Sequence, residues 1–171
     1  PVFDTQHLEW MRWLSDHYGC SWGQALAMSL PSTLRRSSKV RVPAGDFGRQ
    51  QAYSFPADIS LIHDSSQNAQ WPLIESRIKE VWDKGLSVLI LVPEISAFKQ
   101  WRDFLKAYRK DVFVIDPVLK DKERTAQWLA IRQSPQSIVF GTRSAVFAPV
   151  GNLGLILMAD EDHDFYKEEQ S

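Results

Sequence analysis

The chain of 171 residues is long enough for about one to one and a half domains, and its 44% hydrophobic and 12% aromatic content argues against disorder. A formal net charge of −1 gives no global basic field, so any contact to nucleic acid must be local. The single cysteine, Cys20, excludes an internal disulfide framework and a four-cysteine zinc site. No apolar run approaches the ~18 residues needed to span a membrane.

The N-terminal part of the sequence predicts two helices. Residues 4–18 predict an amphipathic helix, because apolar side chains recur every three or four positions. Asp4 is the expected N-cap and Gly19 the expected end. A second, shorter helix is predicted over residues 21–30, just before Pro31. Since the chain starts at Pro1 without a methionine, we expect it to be a piece of a longer protein.

The stretch 31–56 predicts a linker, because it is rich in proline, glycine and serine. It also carries a small cluster of basic residues: Arg35, Arg36, Lys39 and Arg41. Most charge runs of this kind are solvated linkers, and the alternative is a contact to DNA phosphates. We therefore divide the chain into a helical segment (1–34), a linker (35–56) and a lobe (57–171).

From residue 57 onward the sequence alternates between short apolar runs and helical patterns. Strands are predicted over residues 59–63, 87–92, 112–115, 137–140 and 153–158, and helices over 72–84, 95–108 and 122–132. The runs SVLILV and LGLILM are apolar apart from Ser87, as expected for strands covered on both faces. Such alternation implies right-handed crossovers. We predict an α/β lobe with a parallel sheet of about five strands.

Two segments that follow predicted strands are candidates for ligand contacts. Glu94, in the run LVPEI, lies at the carboxyl end of a strand, where ligands bind in open α/β sheets. The alternative there is a plain strand-to-helix turn. The turn at residues 141–144 combines backbone N–H groups, the hydroxyls of Thr142 and Ser144, and the Arg143 guanidinium, which are suitable donors for a phosphate. In the alternative interpretation, Arg143 pairs with Glu94 or with the acidic residues 160–164.

A third segment, DEDHD at residues 160–164, follows the apolar run LGLILM. A carboxylate pair in this place is typical of a Walker B or DExH box, in which Asp160 would hold Mg²⁺ and Glu161 would orient the attacking water. The alternative is a solvated acidic loop. Glu123, Arg124 and Trp128 form a charged helix face with an apolar anchor, and we interpret them as structural.

Together these segments resemble the first motor lobe of the primosomal protein N′ (PriA) replication-restart helicase family. The resemblance rests on LVPEI (91–95), Glu123-Arg124 with Trp128, GTRSAVFAP (141–149), NLGLI (152–156), and DEDHD (160–164) with Tyr166-Lys167. It covers about residues 57–167, and a weaker likeness covers the first 34 residues. It implies a RecA-like lobe of the P-loop NTPase type. The family's cofactors are ATP and Mg²⁺, and its zinc is bound outside the region that this chain resembles.

The resemblance fails at the nucleotide-binding loop. Aligned on His63, the family's GVTGSGKT is replaced by residues that include no glycine: Asp64, Ser65, Ser66, Gln67, Asn68, Ala69, Gln70 and Trp71. The loop lysine becomes Gln70, and the Mg²⁺-binding threonine becomes Trp71. Glycines let consecutive N–H groups face the phosphates, and the lysine contacts the β- and γ-phosphates. We therefore expect a degenerate Walker A loop, no ATP hydrolysis and no cofactor in this chain.

The resemblance implies a DNA replication restart and primosome assembly protein of the bacterial cytoplasm, associated with the nucleoid and not with a membrane. The expected partners are forked or single-stranded DNA, primosome proteins and single-strand-binding proteins. The expected DNA contacts are Arg143, Thr142, Ser144, Arg35, Arg36 and Lys39. Asp160, Glu161 and His163 are expected to be a residual catalytic box, with no metal unless Asp160 holds Mg²⁺. The alternative is an ATP-dependent 3′-to-5′ DNA helicase with a non-standard nucleotide loop.

Overall fold

The computed structural model describes residues 3, 5–36, 58–63, 70–108 and 110–166, apart from the side chains of Gln6 and Phe165. The N-terminal segment forms three helices: α1 (Thr5–Tyr18), α2 (Trp22–Met28) and α3 (Ser32–Arg36). Helix α1 ends before Gly19, whose φ of 62° is a conformation that glycine adopts without strain. The expected N-cap of α1, Asp4, lies outside the described residues.

Helix α2 begins with a capping box. The Gln24 backbone N–H donates to the Ser21 hydroxyl, and the Gln24 side-chain oxygen accepts from the Ser21 backbone N–H at 2.8 Å. Both bonds satisfy donors that the first turn of a helix leaves without partners. The two helices predicted for this part of the chain are therefore confirmed, with the second shorter than expected.

Helix α3 occupies the start of the stretch 31–56, where the sequence predicts a linker. The Ser32 hydroxyl donates to a carboxylate oxygen of Asp121 at 2.5 Å, on a helix of the lobe. Local composition does not predict α3, because the contact that stabilises it, between Ser32 and Asp121, joins residues far apart in the sequence. Residues 37–57 lie outside the described residues.

The lobe alternates helices and strands. Its elements are α4 (Gln70–Asp83), β1 (Ser87–Leu91), α5 (Phe98–Phe104), β2 (Val112–Ile115), α6 (Asp121–Gln133), β3 (Ile138–Gly141) and β4 (Leu153–Met158). The described residues of the lobe also form four 3₁₀ turns: Ile95–Ala97, Leu105–Tyr108, Arg143–Phe147 and Asp164–Tyr166. Within the described residues the strands form a four-stranded sheet in the order β2-β3-β1-β4, and each of these pairings is parallel. The predicted α/β fold is confirmed, and its sheet is consistent with a RecA-like lobe.

Strand β1 lies inside the sheet and is buried along its whole length. Val88 and Ile90 pack in one cluster with Ile78 of α4 and Trp101 of α5. Leu89 and Leu91 pack in a second cluster, which includes Ile131 of α6. Because successive side chains of a strand point to opposite faces, helices cover both faces of β1, as the apolar run SVLILV predicts.

Two predictions about strands are wrong. Residues 59–63 form no strand, and Ile59 and Leu61 are 91% and 73% exposed. Strand β4 forms where predicted but is not buried, since Leu153, Ile156 and Met158 are all exposed. The reason is that one face is left open: Leu155 and Leu157 pack against the core cluster, whereas Ile156 and Met158 alternate with them on the opposite, exposed face. An apolar run predicts burial only when neighbouring elements cover it.

The helical segment packs directly against the lobe. Met11, Leu14 and Ala25 form a small core, and Phe147 of the lobe packs against it. The Trp128 indole N–H of α6 donates to the Ser29 carbonyl at 3.2 Å in a buried position. This bond agrees with the structural role expected for Trp128. No helix in the described part of the chain is long and apolar enough to cross a membrane.

Candidate functional site

The carboxyl ends of the four strands lie side by side. Leu91 pairs with both Gly141 and Met158, and Gly141 also pairs with Ile115, so the last residues of β1, β2, β3 and β4 are in register. The segments that follow these strands therefore start at one edge of the sheet. Ligands bind at this edge in open α/β sheets. The structure thus brings Glu94 and Arg143, predicted separately as candidates, to the same place.

A cleft of about 420 Å³ opens at this edge. Its lining combines residues that follow three of the strands: Pro93, Glu94, Ile95, Ser96, Pro117, Thr142 and Arg143. Ser96 and Pro117 were not predicted as site residues. The signal that could have identified Pro117 is its position just after β2, because every parallel strand delivers the following residues to this edge.

The segment GTRSAVFAP divides into packing residues and exposed residues. Gly141 is a packing residue, because a Cβ there would lie 2.6 Å from the Ile115 carbonyl oxygen and 2.9 Å from the Ala145 Cβ. Ala145 is fully buried against the sheet. By contrast, Arg143 and Ser144 are exposed and Thr142 is half-buried. Thr142 makes no side-chain capping bond to the 3₁₀ turn that it precedes.

Arg143 forms no ion pair with any carboxylate in the described ranges. The alternative in which it pairs with Glu94 or with residues 160–164 is therefore not observed there. Instead, a Glu94 carboxylate oxygen lies 3.4 Å from His163 Nε2, and the other accepts from the Ser96 hydroxyl at 3.1 Å. The cleft thus offers an exposed guanidinium beside a carboxylate that already has partners.

The acidic segment turns back immediately after β4. Asp160 has a φ of 50°, a left-handed conformation that aspartate tolerates better than most residues. The Ala159 N–H donates to the Leu91 carbonyl at 2.9 Å, which holds the start of this segment at the carboxyl edge. Asp160, Glu161 and Asp162 are exposed. Among the residues described, no three His, Cys, Asp or Glu side chains are placed to hold a metal ion.

Tyr166 holds the far end of the acidic segment. Its hydroxyl donates to the Ala159 carbonyl at 3.1 Å. Burial, with a smaller contribution from the negative charge of Asp160, raises the pKa of Tyr166 to about 12. The phenol therefore stays protonated at neutral pH and remains a donor. This bond closes the segment into a loop that contains His163.

Only two residues of the predicted nucleotide loop, Gln70 and Trp71, are among the described residues. Residues 64–69 lie outside the described residues, so their predicted role stays a prediction. Gln70 and Trp71 are the first residues of α4. The Trp71 ring lies 5.1 Å from Trp101 in a T-shaped contact and 4.7 Å from Phe104. An indole packed against two rings offers no hydroxyl to Mg²⁺.

The remaining predicted DNA contacts are not part of the cleft. Arg35 and Arg36 are exposed at the end of α3 and do not line it. Ser144 is exposed next to Arg143 but is also not a lining residue. Lys39 and Arg41 lie outside the described residues. The structure therefore brings together Glu94, Thr142 and Arg143, and leaves the basic cluster of residues 35–41 elsewhere or undescribed.

The chain is similar in sequence to several known proteins, which all carry the same description. No family model matches the chain. It is 28% identical to the replication restart protein PriA of Treponema pallidum over 95% of its own length, 32% identical to that of Bacillus subtilis over 66%, and 44% identical to that of Synechocystis over 47%. The chain covers 27% of the Treponema protein, 14% of the Bacillus protein and 10% of the Synechocystis protein.

Proposed function

Because this chain belongs to the PriA family of replication restart proteins, we propose that it serves replication restart as a DNA-contacting scaffold rather than as a motor. In this role the lobe of residues 57–171 binds a phosphate of forked or single-stranded DNA in the cleft at the carboxyl edge. The proposal extends to primosome and single-strand-binding proteins as partners, and to a cytoplasmic location at the nucleoid.

The observation that carries the DNA contact is the position of Arg143. Its guanidinium is exposed and forms no ion pair with any carboxylate that the structure describes, in a cleft shared with Thr142 and Ser96. A guanidinium donates to phosphate oxygens in a planar fork, and neighbouring hydroxyls complete such contacts. Glu94 would repel a phosphate, so the Arg143 contact has to outweigh that repulsion; the Glu94 carboxylate itself contacts His163 and Ser96.

Replacing Arg143 with alanine should weaken binding of the chain to a labelled single strand or fork by roughly tenfold, as expected for the loss of one charge-assisted hydrogen bond. The slope of log affinity against log salt should also fall by about 0.7 for a single strand, because one phosphate contact is lost. Fluorescence anisotropy at several low salt concentrations measures both quantities. With a net charge of −1, we expect the overall affinity to be weak.

The matched control is Arg77→Ala. Arg77 is also exposed, but it lies on α4, pairs with Glu80 at 3.4 Å and is not a cleft residue. Its replacement should leave affinity and salt slope unchanged. If Arg143→Ala lowers the melting temperature and leaves DNA binding at the level of the unmodified chain, Arg143 is structural and the proposed DNA contact is wrong.

We expect no meaningful ATP hydrolysis, and the packing of Trp71 supports this part of the proposal. Phosphoryl transfer depends almost entirely on positioned charges and metal, and the threonine position is occupied by an indole in contact with Trp101. Calorimetric titration with ATP and Mg²⁺ should give no binding heat. Phosphate release should stay at the buffer rate with or without DNA. DNA-stimulated release that disappears in an Asp160→Ala variant would contradict the expectation.

One feature favours the second candidate, an ATP-dependent 3′-to-5′ DNA helicase. The segment Asp160–Asp164 keeps the order of a DExH box and starts at the carboxyl end of β4, beside β1. An acidic box in this place is what a motor lobe needs to hold Mg²⁺. The same calorimetric titration separates the two candidates, because the helicase requires nucleotide binding and the scaffold does not.

A further inference from the structure

The 3₁₀ turn Arg143–Phe147 is a short element that carries the proposed phosphate contact at its start. Backbone bonds hold both of its ends: the Ala145 N–H donates to the Thr142 carbonyl at 2.7 Å, and the Ala148 N–H donates to the Ala145 carbonyl at 3.0 Å. Hydrogen bonds of 3₁₀ type have poorer geometry than those of an α-helix. The orientation of so short a turn therefore depends on where its side chains are anchored.

The anchors of this turn lie on two different parts of the chain. Ala145 and Val146 pack in the cluster on the α6 face of the sheet. Phe147 packs instead against the core of the helical segment, formed by Met11, Leu14 and Ala25. Ala145 and Val146 contribute a methyl and an isopropyl group, so the Phe147 ring is the largest anchor of the turn.

The contact of Phe147 with the helical segment includes an aromatic pair. Its ring lies 5.7 Å from the ring of Trp10 on α1, at an interplanar angle of 32°. Both side chains are half-buried. Aromatic pairs at this distance stabilise beyond the area they bury. The segment is also tied to α6 by the Trp128–Ser29 hydrogen bond of 3.2 Å, so its position on the lobe is defined independently of Phe147.

We propose that Trp10 and Phe147 are positioning residues for the phosphate contact of Arg143, so that the helical segment Thr5–Arg36 controls DNA binding at the cleft. Trp10 of helix α1 contacts Phe147 and so holds the end of the 3₁₀ turn. The turn then holds Arg143 at the cleft. The inference rests on the proposed function, since it concerns the same guanidinium. It assigns to the helical segment a role in that site, although none of its residues lines the cleft.

The test combines DNA binding with a double-mutant cycle on the 171-residue chain. Trp10→Ala should lower affinity for a labelled single strand by roughly the same tenfold as Arg143→Ala and should reduce the salt slope equally. The double variant Trp10→Ala/Arg143→Ala should bind no more weakly than Arg143→Ala, because Trp10 acts through Arg143. Trp10→Phe should retain the affinity of the unmodified chain.

The control is Trp13→Ala, which removes an indole from the same helix at a position that is 55% exposed. It should leave affinity unchanged. A second readout needs no DNA: amide hydrogen exchange at residues 143–148 should accelerate in Trp10→Ala, while exchange in β1 stays slow. Should Trp10→Ala fail to fold, Phe147→Leu removes the ring contact with a smaller loss of packing and is judged by the same criteria.

Two outcomes overturn the inference while the proposed function stands. In the first, Arg143→Ala weakens binding, and Trp10→Ala lowers the melting temperature without changing affinity or salt slope. In the second, the losses of the two single variants add in the double variant. If Arg143→Ala itself has no effect on binding, the proposed function fails and this inference fails with it.

Discussion

Gly141→Ala is expected to destabilise the chain by about 3 kcal/mol, near the upper end of the usual cost of overpacking a core. The new Cβ would lie 2.6 Å from the Ile115 carbonyl oxygen and 2.9 Å from the Ala145 Cβ. The first of these atoms belongs to the backbone of β2, which pairs with β3 at this register position and therefore has no room to yield. Urea unfolding should show the lower free energy of unfolding. Thermal unfolding should show a drop in melting temperature of roughly 6–12 °C.

Gly151→Ala provides the control for this substitution. A Cβ at Gly151 would meet no atom within 4 Å. Alanine there should leave stability within about 0.5 kcal/mol, or raise it slightly by restricting the unfolded chain. Equal stability of the Gly141→Ala variant and the unmodified chain would mean that β2 and β3 do not approach as closely as described.

Trp71→Thr, which introduces the residue type that the family resemblance places in the loop, should destabilise the chain by about 2–4 kcal/mol. The substitution removes an indole that contacts Trp101 at 5.1 Å and Phe104 at 4.7 Å, and large-to-small changes at buried aromatic positions cost about 3–5 kcal/mol. The half-buried position of Trp71 reduces that value. Threonine alone should not create ATP binding, because the lysine position holds Gln70.

Leu73→Thr separates packing from helix propensity. Leu73 lies on the same helix, α4, and is 44% exposed. The variant should lose less than about 1 kcal/mol, since it changes helix propensity with little loss of buried surface. Similar losses for Trp71→Thr and Leu73→Thr in urea unfolding would show that Trp71 is not part of the core.

The elements that the sequence predicted correctly are those with a strong local signal. The run that became β1 is apolar at every position after Ser87, and Gly19 and Gly85 both end helices with positive φ angles. The failures concern contacts between distant parts of the chain. Residues 59–63 are as apolar as a strand, but a strand also needs a paired neighbour, and pairing is not encoded locally. The exposure of β4 has a related cause, because the sequence of a strand does not show whether another element covers its second face.

The candidate site was predictable to the extent that it follows from parallel topology. Once the strands are parallel, Glu94 and Arg143 must meet at one edge, and they do. Which groups pair there was not predictable, since the Glu94–His163 contact depends on how the acidic segment turns back after Asp160. The contact between Trp10 and Phe147 joins residues far apart in sequence, and no periodicity in either segment indicates it.

The open side of β4 has a practical consequence for handling the chain in solution. Along the part of the chain that the structure describes, no strand satisfies the outward-facing N–H and C=O groups of Leu153–Met158, and three exposed apolar side chains flank them. The strand contains no lysine, no proline and no charged residue of the kind that guards natural sheet edges. Two molecules can add strand to strand along such an edge. Light scattering at rising concentration should therefore show self-association well before the chain unfolds.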